Sequence, residues 1–166
     1  LKKLIKKGKL LPSLWEENLI AQDFFTEEEQ PSKFDIIIGN PPWASRKGIN
    51  RSSISWCKSN GYLMPGNEDS WAFTWKSLEH LYDESSVIAF LLPSMGFLHN
   101  PKSFDARAKL FEQTIVNKII NFSDLRFQLF DGAISATSLI ILKKKNEKVS
   151  QGYLIDYWCP KAAPAL

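Results

Sequence analysis

Cysteine and histidine are scarce, two of each in 166 residues. Cys57 and Cys159 have neither the paired spacing of a zinc site nor the density of a disulfide framework, so they read as packed thiols in a reducing, cytoplasmic compartment. His80 and His99 stand without a nucleophile at recognisable spacing and are assigned no chemistry, and no metal site is suggested. Long apolar runs are missing too: nothing approaches the ~20 residues of a membrane span, and the lysine-rich start lacks the apolar segment of a signal peptide. Charge of one sign is nearly absent in sum, since a net +3 only mildly favours an anionic partner. Lys2, Lys3, Lys6, Lys7 and Lys9 form one cluster and Lys143, Lys144 and Lys145 another, the first most simply a solvated helix face. The run Glu27, Glu28 and Glu29 reads as solvated surface.

What is present is enough apolar material for one domain with a real core. Short apolar runs alternate with helical patterns. "NLIAQDFF" (18–25), "FDIIIG" (34–39), "VIAFLLP" (87–93) and "NKIINF" (117–122) read as strands covered on both faces. Trp71, Trp75, Leu78 and Tyr82 recur at helical spacing after Asp69 and Ser70, both good N-caps. A second helix is expected from Asn100 and Pro101, with Phe104, Ala108, Phe111 and Ile115 on one stripe. "SATSLIILKKK" and "YLIDYW" follow as strands with no helix between them, which predicts an antiparallel pair closing an α/β, mostly parallel sheet. Residues 44–69 carry no sustained period and are expected to form an irregular insertion.

The "FDIIIG" strand runs into Asn40, Pro41, Pro42 and Trp43. In an open α/β sheet ligands gather beyond the carboxyl ends of the strands, where these four residues would lie. The prolines fix their own φ angles, supply no N–H donors and hold Asn40 extended. The product is a rigid edge of carbonyl oxygens, one carboxamide and one flat aromatic face, suited to a planar molecule bearing an amino group. A stiff turn without chemistry is the plain alternative, but the pattern arises by accident in only roughly one chain in a thousand of this size.

Asn40-Pro41-Pro42-Trp43 resembles the catalytic motif of the S-adenosylmethionine-dependent, adenine-specific DNA methyltransferases of restriction-modification systems. "LPSLWEENLIAQDFF" is similar to that family's upstream segment, "VIAFLLPSMGFL" to its next strand and turn, and "FQLFDGAISATSLIILKKK" to its late motif. The resemblance runs from Leu11 to Lys145 and implies a partial Rossmann-like class I methyltransferase domain. It implies that Asp23 accepts a hydrogen bond from the adenine amino group of S-adenosylmethionine and that Phe24 lies against that adenine. It implies catalytic roles for Asn40 and Pro41, whose side-chain and backbone oxygens bind the amino hydrogens of the target adenine. Trp43 would stack on the extruded base, Pro42 would border it, and Phe130, ahead of Phe127, would form the second wall of the pocket.

Two parts of the family pattern are missing. No glycine-rich turn follows a first strand, and no acidic residue follows a second; Gly61 and Gly66 are five residues apart in the insertion. Residues 1–166 therefore read as the C-terminal part of a catalytic domain. The implied partners are double-stranded DNA and, from the parent protein, an N-terminal half and a target-recognition domain; no membrane is implied. By itself the segment is expected to bind cofactor poorly and to be inactive. Methylation of a protein glutamine amide, which uses a similar motif, and a non-catalytic interaction module remain the alternative readings.

Overall fold

The computed structural model describes residues 19–26, 32–43, 51–129, 135–145 and 152–162. Five strands form one sheet: β1 (Ile36–Gly39), β2 (Val87–Pro93), β3 (Thr114–Asn121), β4 (Thr137–Lys144) and β5 (Asp156–Trp158), in the order β1-β2-β4-β3-β5. β1 pairs parallel with β2 and β3 parallel with β5, while β4 lies antiparallel between β2 and β3. Every strand but β4 thus points the same way, and the fold is α/β as expected. The antiparallel element differs in place: β4 sits inside the sheet, and β5 pairs with β3 rather than closing a pair with β4.

The described α-helices are α1 (Ser52–Ser59), α2 (Asp69–Glu79), α3 (Phe104–Gln113) and the short α4 (Arg126–Leu129). Trp71 and Trp75 of α2 and Ala106 and Leu110 of α3 join Ile88, Phe90, Leu92, Ile140 and Leu142 in one buried cluster. A buried aromatic of this size removes ~150–250 Å² from water, worth roughly 4–6 kcal/mol as an upper estimate. The two tryptophans therefore anchor α2, and the Trp75 Nε1–H donates to the Leu63 carbonyl at 2.8 Å, so burial leaves its polar atom satisfied.

Several expectations change. Burial alternates along β2 and β4, so one face is packed and the other only half-covered, whereas the apolar runs read as covered on both faces. On β1, Ile36 and Ile38 are 63% and 78% exposed, while Ile37 packs against the core. Residues 19–22 of "NLIAQDFF" are not a strand. The Asp23 carboxylate accepts the Phe25 N–H at 2.9 Å, an Asx-type turn that diverts the chain. In the expected irregular insertion, Ser52–Ser59 form a helix that buries Ser53 and Cys57, one turn apart. Of the remainder, Pro65–Asn67 form a 3₁₀ turn ahead of α2, and residues 44–50 lie outside the described residues.

The expected cap forms, with the Asn100 side chain accepting the Lys102 N–H at 3.0 Å and Pro101 next, but it opens a 3₁₀ turn, and α3 itself starts three residues later at Phe104. Its buried face is different: Phe104 is 66% exposed and Ala106 and Leu110 face inward. Residues 101–103 form a 3₁₀ turn, whose three residues per turn shift the phase of the helix that follows. The chain becomes extended at Thr114, which places Ile115 in β3. In α2, Tyr82 falls beyond the helix end and is exposed.

Candidate functional site

Because β1 and β2 run parallel with Gly39 opposite Phe90, Asn40–Trp43 continue beside Leu91–Ser94 at the carboxyl edge of the sheet. Burial alternates along the motif as it would along a strand: Asn40 and Pro42 are exposed, Pro41 is buried and Trp43 is half-buried. The indole Nε1–H of Trp43 donates to the Leu91 carbonyl at 3.3 Å, fastening the end of the motif to β2. At the other end, the Phe34 N–H donates to His80 O at 2.8 Å and Tyr82 N–H to Phe34 O at 3.1 Å. Asn40 thus projects from a segment tied down on both sides.

The end of β2 is itself tied down by polar groups. Ser94 and Ser138 share a buried hydroxyl contact of 2.7 Å, and the Ser94 N–H donates to Ala136 O at 2.8 Å, joining the end of β2 to the start of β4. A π-turn, Met95–His99, follows β2, and Arg107 holds it by donating to Phe97 O and Asn100 O at 3.1 and 3.0 Å. Gly96 in this turn lies against the Glu68 carboxylate, whose Oε2 is buried and has no hydrogen-bond partner; burial raises its pKa.

Asp23 and Phe24 lie on a different support. They line a cavity of about 510 Å³ together with Arg51, Ser52, Asp69 and Phe73. Asp23 is held below the usual carboxylate range by the Ser52 hydroxyl, then by the Phe25 N–H, with Lys76 nearby. Phe24 stacks on Phe73 of α2 at 5.2 Å and, seven residues on, on His80 at the helix's C-terminal cap at 5.3 Å. The Lys76 ammonium lies within 5.5 to 5.8 Å of the Phe24, Phe25 and Trp56 ring centroids. Arg51 pairs with Asp69, and Ser53 donates to Asp69 Oδ1 at 2.7 Å.

Arg51 and Ser52 were not singled out in the sequence, and Asp69 was read only as a helix cap, since nothing local ties residues of the insertion to Asp23. Phe73, Lys76 and His80 had a visible signal, a second stripe at helical spacing on α2 beside the tryptophan stripe. Phe127 is 70% exposed with the Arg126 guanidinium 4.4 Å from its ring centroid. The preceding turn is drawn toward the β5 side by the Asp124–Lys161 ion pair at 2.6 Å. Phe130 lies outside the described residues, as do the Lys2–Lys9 cluster, Glu27–Glu29 and Leu11–Asn18 of the upstream segment.

The sequence profile of the Eco57I restriction-modification methylase family matches residues 1–130. The chain belongs to that family. The chain is 28% identical over 152 residues to the type I restriction enzyme MpnII methylase subunit of Mycoplasma pneumoniae, covering 84% of this chain and 27% of that protein. Its fold matches a protein of Listeria monocytogenes assigned to the class I S-adenosylmethionine-dependent methyltransferases, with a TM-score of 0.61, 13% identity, and coverage of 82% of this chain and 39% of that one. It also matches the ATP-dependent type ISP restriction-modification enzyme LlaBIII bound to DNA, with a TM-score of 0.52, 15% identity, and coverage of 75% of this chain and 10% of that one. The chain thus spans well under half the length of these proteins. Among the described residues, no helix is long and apolar enough to cross a membrane.

Membership of a methyltransferase family implies S-adenosylmethionine. The donor set at the Asp23 cavity fits its purine end: an ionised acceptor, with aromatic walls from Phe24 and Phe73. Among the described residues, the glycines at positive φ are Gly61, past the end of α1, and Gly66, within the turn before α2, so neither belongs to a strand-to-helix phosphate-type turn.

Proposed function

We propose that this chain carries the acceptor side, and the purine end of the donor side, of a restriction-modification enzyme that methylates the exocyclic amino group of adenine in double-stranded DNA. One observation carries the reading: Asn40 stands exposed beside a buried Pro41 at the carboxyl end of a parallel strand, on a segment tied to the His80–Tyr82 turn at one end and to β2 at the other. That is a preorganised pair of acceptors.

An adenine amino nitrogen is a poor nucleophile because its lone pair is delocalised into the ring. The Asn40 side-chain oxygen and the Pro41 carbonyl accept its two hydrogens and draw the nitrogen toward a pyramidal geometry, which returns electron density to it. Fixed dipoles of this kind need no reorganisation as charge develops. Trp43 offers a face to the base, which must leave the duplex to be reached; such stacking is worth ~1–3 kcal/mol per base. When bound, S-adenosylmethionine supplies an electrophilic methyl group on a sulfonium. Asp23 and Phe24 hold its purine, and the proton shed by the methylated amine passes to solvent.

The rest of the site is proposed to come from the parent protein, with an N-terminal half of the domain pairing along the edge of β1 that has no neighbour among the described strands and covering its exposed Ile36 and Ile38. A target-recognition domain supplies sequence selection. In the full-length protein, Asn40→Ala is expected to lower transfer of labelled methyl groups to duplex DNA by about 10²–10³, as loss of a catalytic oxyanion-type contact does. Binding of cofactor should be unchanged. Labelling of protein but never of DNA would move the substrate to a glutamine amide, and full activity of Asn40→Ala would overturn the mechanism.

A further inference from the structure

We infer that His80, the C-terminal cap of α2, is a positioning residue of the donor pocket: its imidazole holds the Phe24 ring in the plane against which a purine packs. The inference rests on the reading of the Asp23–Phe24 cavity as the purine site.

The backbone around Phe24 turns on itself, with the Phe25 N–H on Asp23 Oδ1 at 2.9 Å and the Thr26 hydroxyl on the Asp23 carbonyl at 2.7 Å. Those bonds shape the turn and leave the half-buried Phe24 ring to its neighbours. Three side chains along one stripe of α2 and its cap meet that ring: Phe73 at 5.2 Å and 8° from parallel, the Lys76 ammonium 5.5 Å from the centroid, and His80 at 5.3 Å and 28°. Phe73 is itself a wall of the cavity. His80 touches Phe24 without lining the cavity, so whatever it does for a ligand it does through that ring.

The imidazole is fixed in turn by the chain that enters β1. Its Nδ1–H donates to the Ser32 carbonyl at 3.1 Å, its ring stacks on Phe34 at 6.5 Å and 25°, and its backbone carbonyl accepts the Phe34 N–H at 2.8 Å. Nε2 is buried with no hydrogen-bond partner among the described residues. The ring therefore works by its faces and one bond, and a phenyl group could take its place at the cost of that bond alone. An aromatic wall already held in its bound orientation loses little freedom when a ligand packs against it, and what is not lost appears as affinity. Without the imidazole, Phe24 has to be ordered at the ligand's expense.

The test uses the full-length protein and S-adenosylhomocysteine, with dissociation constants measured by calorimetry for wild type, His80→Ala, His80→Phe, Phe24→Ala and the Phe24→Ala, His80→Ala double variant. His80→Ala should weaken binding about fivefold, within what one aromatic pair contributes, and His80→Phe, which keeps the ring, should stay within about twofold of wild type. In the Phe24→Ala background, His80→Ala should cost nothing further, because the ring through which it acts is gone. In methyl transfer the loss should fall on KM for S-adenosylmethionine and not on kcat, since the backbone carbonyl that ties down Phe34 survives the substitution. Additive losses in the double variant, no rescue by His80→Phe, or an equal fall in kcat overturns the role of His80 while leaving the purine site in place. Undiminished binding in Phe24→Ala removes the reading of the cavity, and the inference with it.

Discussion

Gly39 immediately precedes Asn40, and its small size is required by space. Its φ is not positive, so conformational freedom is not the reason. A Cβ at this position would stand 3.1 Å from Cε1 of Phe90, the residue paired with it on β2. That is roughly 0.4 Å short of an ordinary carbon–carbon contact. Phe90 is buried in the core and cannot withdraw, whereas β1 has only β2 beside it among the described strands and can move outward. Gly39→Ala should therefore displace β1, and Asn40 with it, by a few tenths of an ångström. Overpacking costs ~1–3 kcal/mol, and replacing glycine at a compatible backbone angle returns ~0.4–1 kcal/mol through the unfolded chain. The net loss of stability is about 0–2.6 kcal/mol. The catalytic loss should be larger in proportion, about tenfold in kcat, since a 1 Å misplacement costs ~10²-fold. Urea unfolding and methyl-transfer kinetics on the full-length protein measure the two quantities separately. Adding Phe90→Leu makes room for the methyl group and should recover kcat while lowering stability further. An undiminished kcat in Gly39→Ala, or no recovery in the double variant, would refute the argument that the ring sets the position of β1.

Glu68 makes a pH-dependent prediction. Burial raises its folded pKa, so the native state prefers the acid form; its contribution is present at low pH and is lost as pH rises through the raised pKa. Glu68→Gln should shift the urea midpoint upward at pH 7 and have little effect below about pH 4, where the carboxyl is protonated in both states; equal shifts at both pH values would count against burial as the cause. Cys57 is 2% exposed and its pKa is pushed up to about 11, first by burial and then by the Asp69 charge. A thiol reagent at pH 8 should therefore modify Cys159 quickly and Cys57 only after urea is added, and two equal rates would contradict the burial.

Much of the sheet was legible because its strands are short apolar runs ended by proline or polar residues. "VIAFLLP" is β2 to the residue, and the motif Asn40–Trp43 falls where a parallel strand should deliver it. The position of β4 was not legible, because strand order is a property of tertiary pairing and its alternation does not reveal its neighbours. The Asp23 segment misled for a related reason. "NLIAQDFF" has strand composition, yet one carboxylate bonded two residues ahead turns the chain, and Phe24 and Phe25 then pack on α1 and α2 instead of in a sheet. α1 was hidden because its sequence, SSISWCKS, is mostly polar and spends its few buried positions on a serine and a cysteine. Such a helix owes its existence to α2, against which it packs, and to the aromatic cluster of Trp56, Tyr62 and Trp75.

The two halves of the proposed site therefore differ in what holds them. Asn40–Trp43 depend on backbone and indole hydrogen bonds to β2 and its approach, which persist as long as that strand pair does. The Asp23 cavity depends on side chains of α1 and α2, with polar groups drawn from a segment that starts only eight residues after Trp43. Binding in that cavity should therefore depend on its aromatic wall more than on the strand pair. Phe73→Ala, which removes the ring stacked on Phe24 at 5.2 Å, is expected to weaken binding of S-adenosylhomocysteine to the full-length protein about tenfold, the upper end of what an aromatic pair contributes, while Asn40→Ala leaves that binding unchanged. Calorimetry on the two variants measures both, and equal weakening by the two would show that the halves of the site are not held separately.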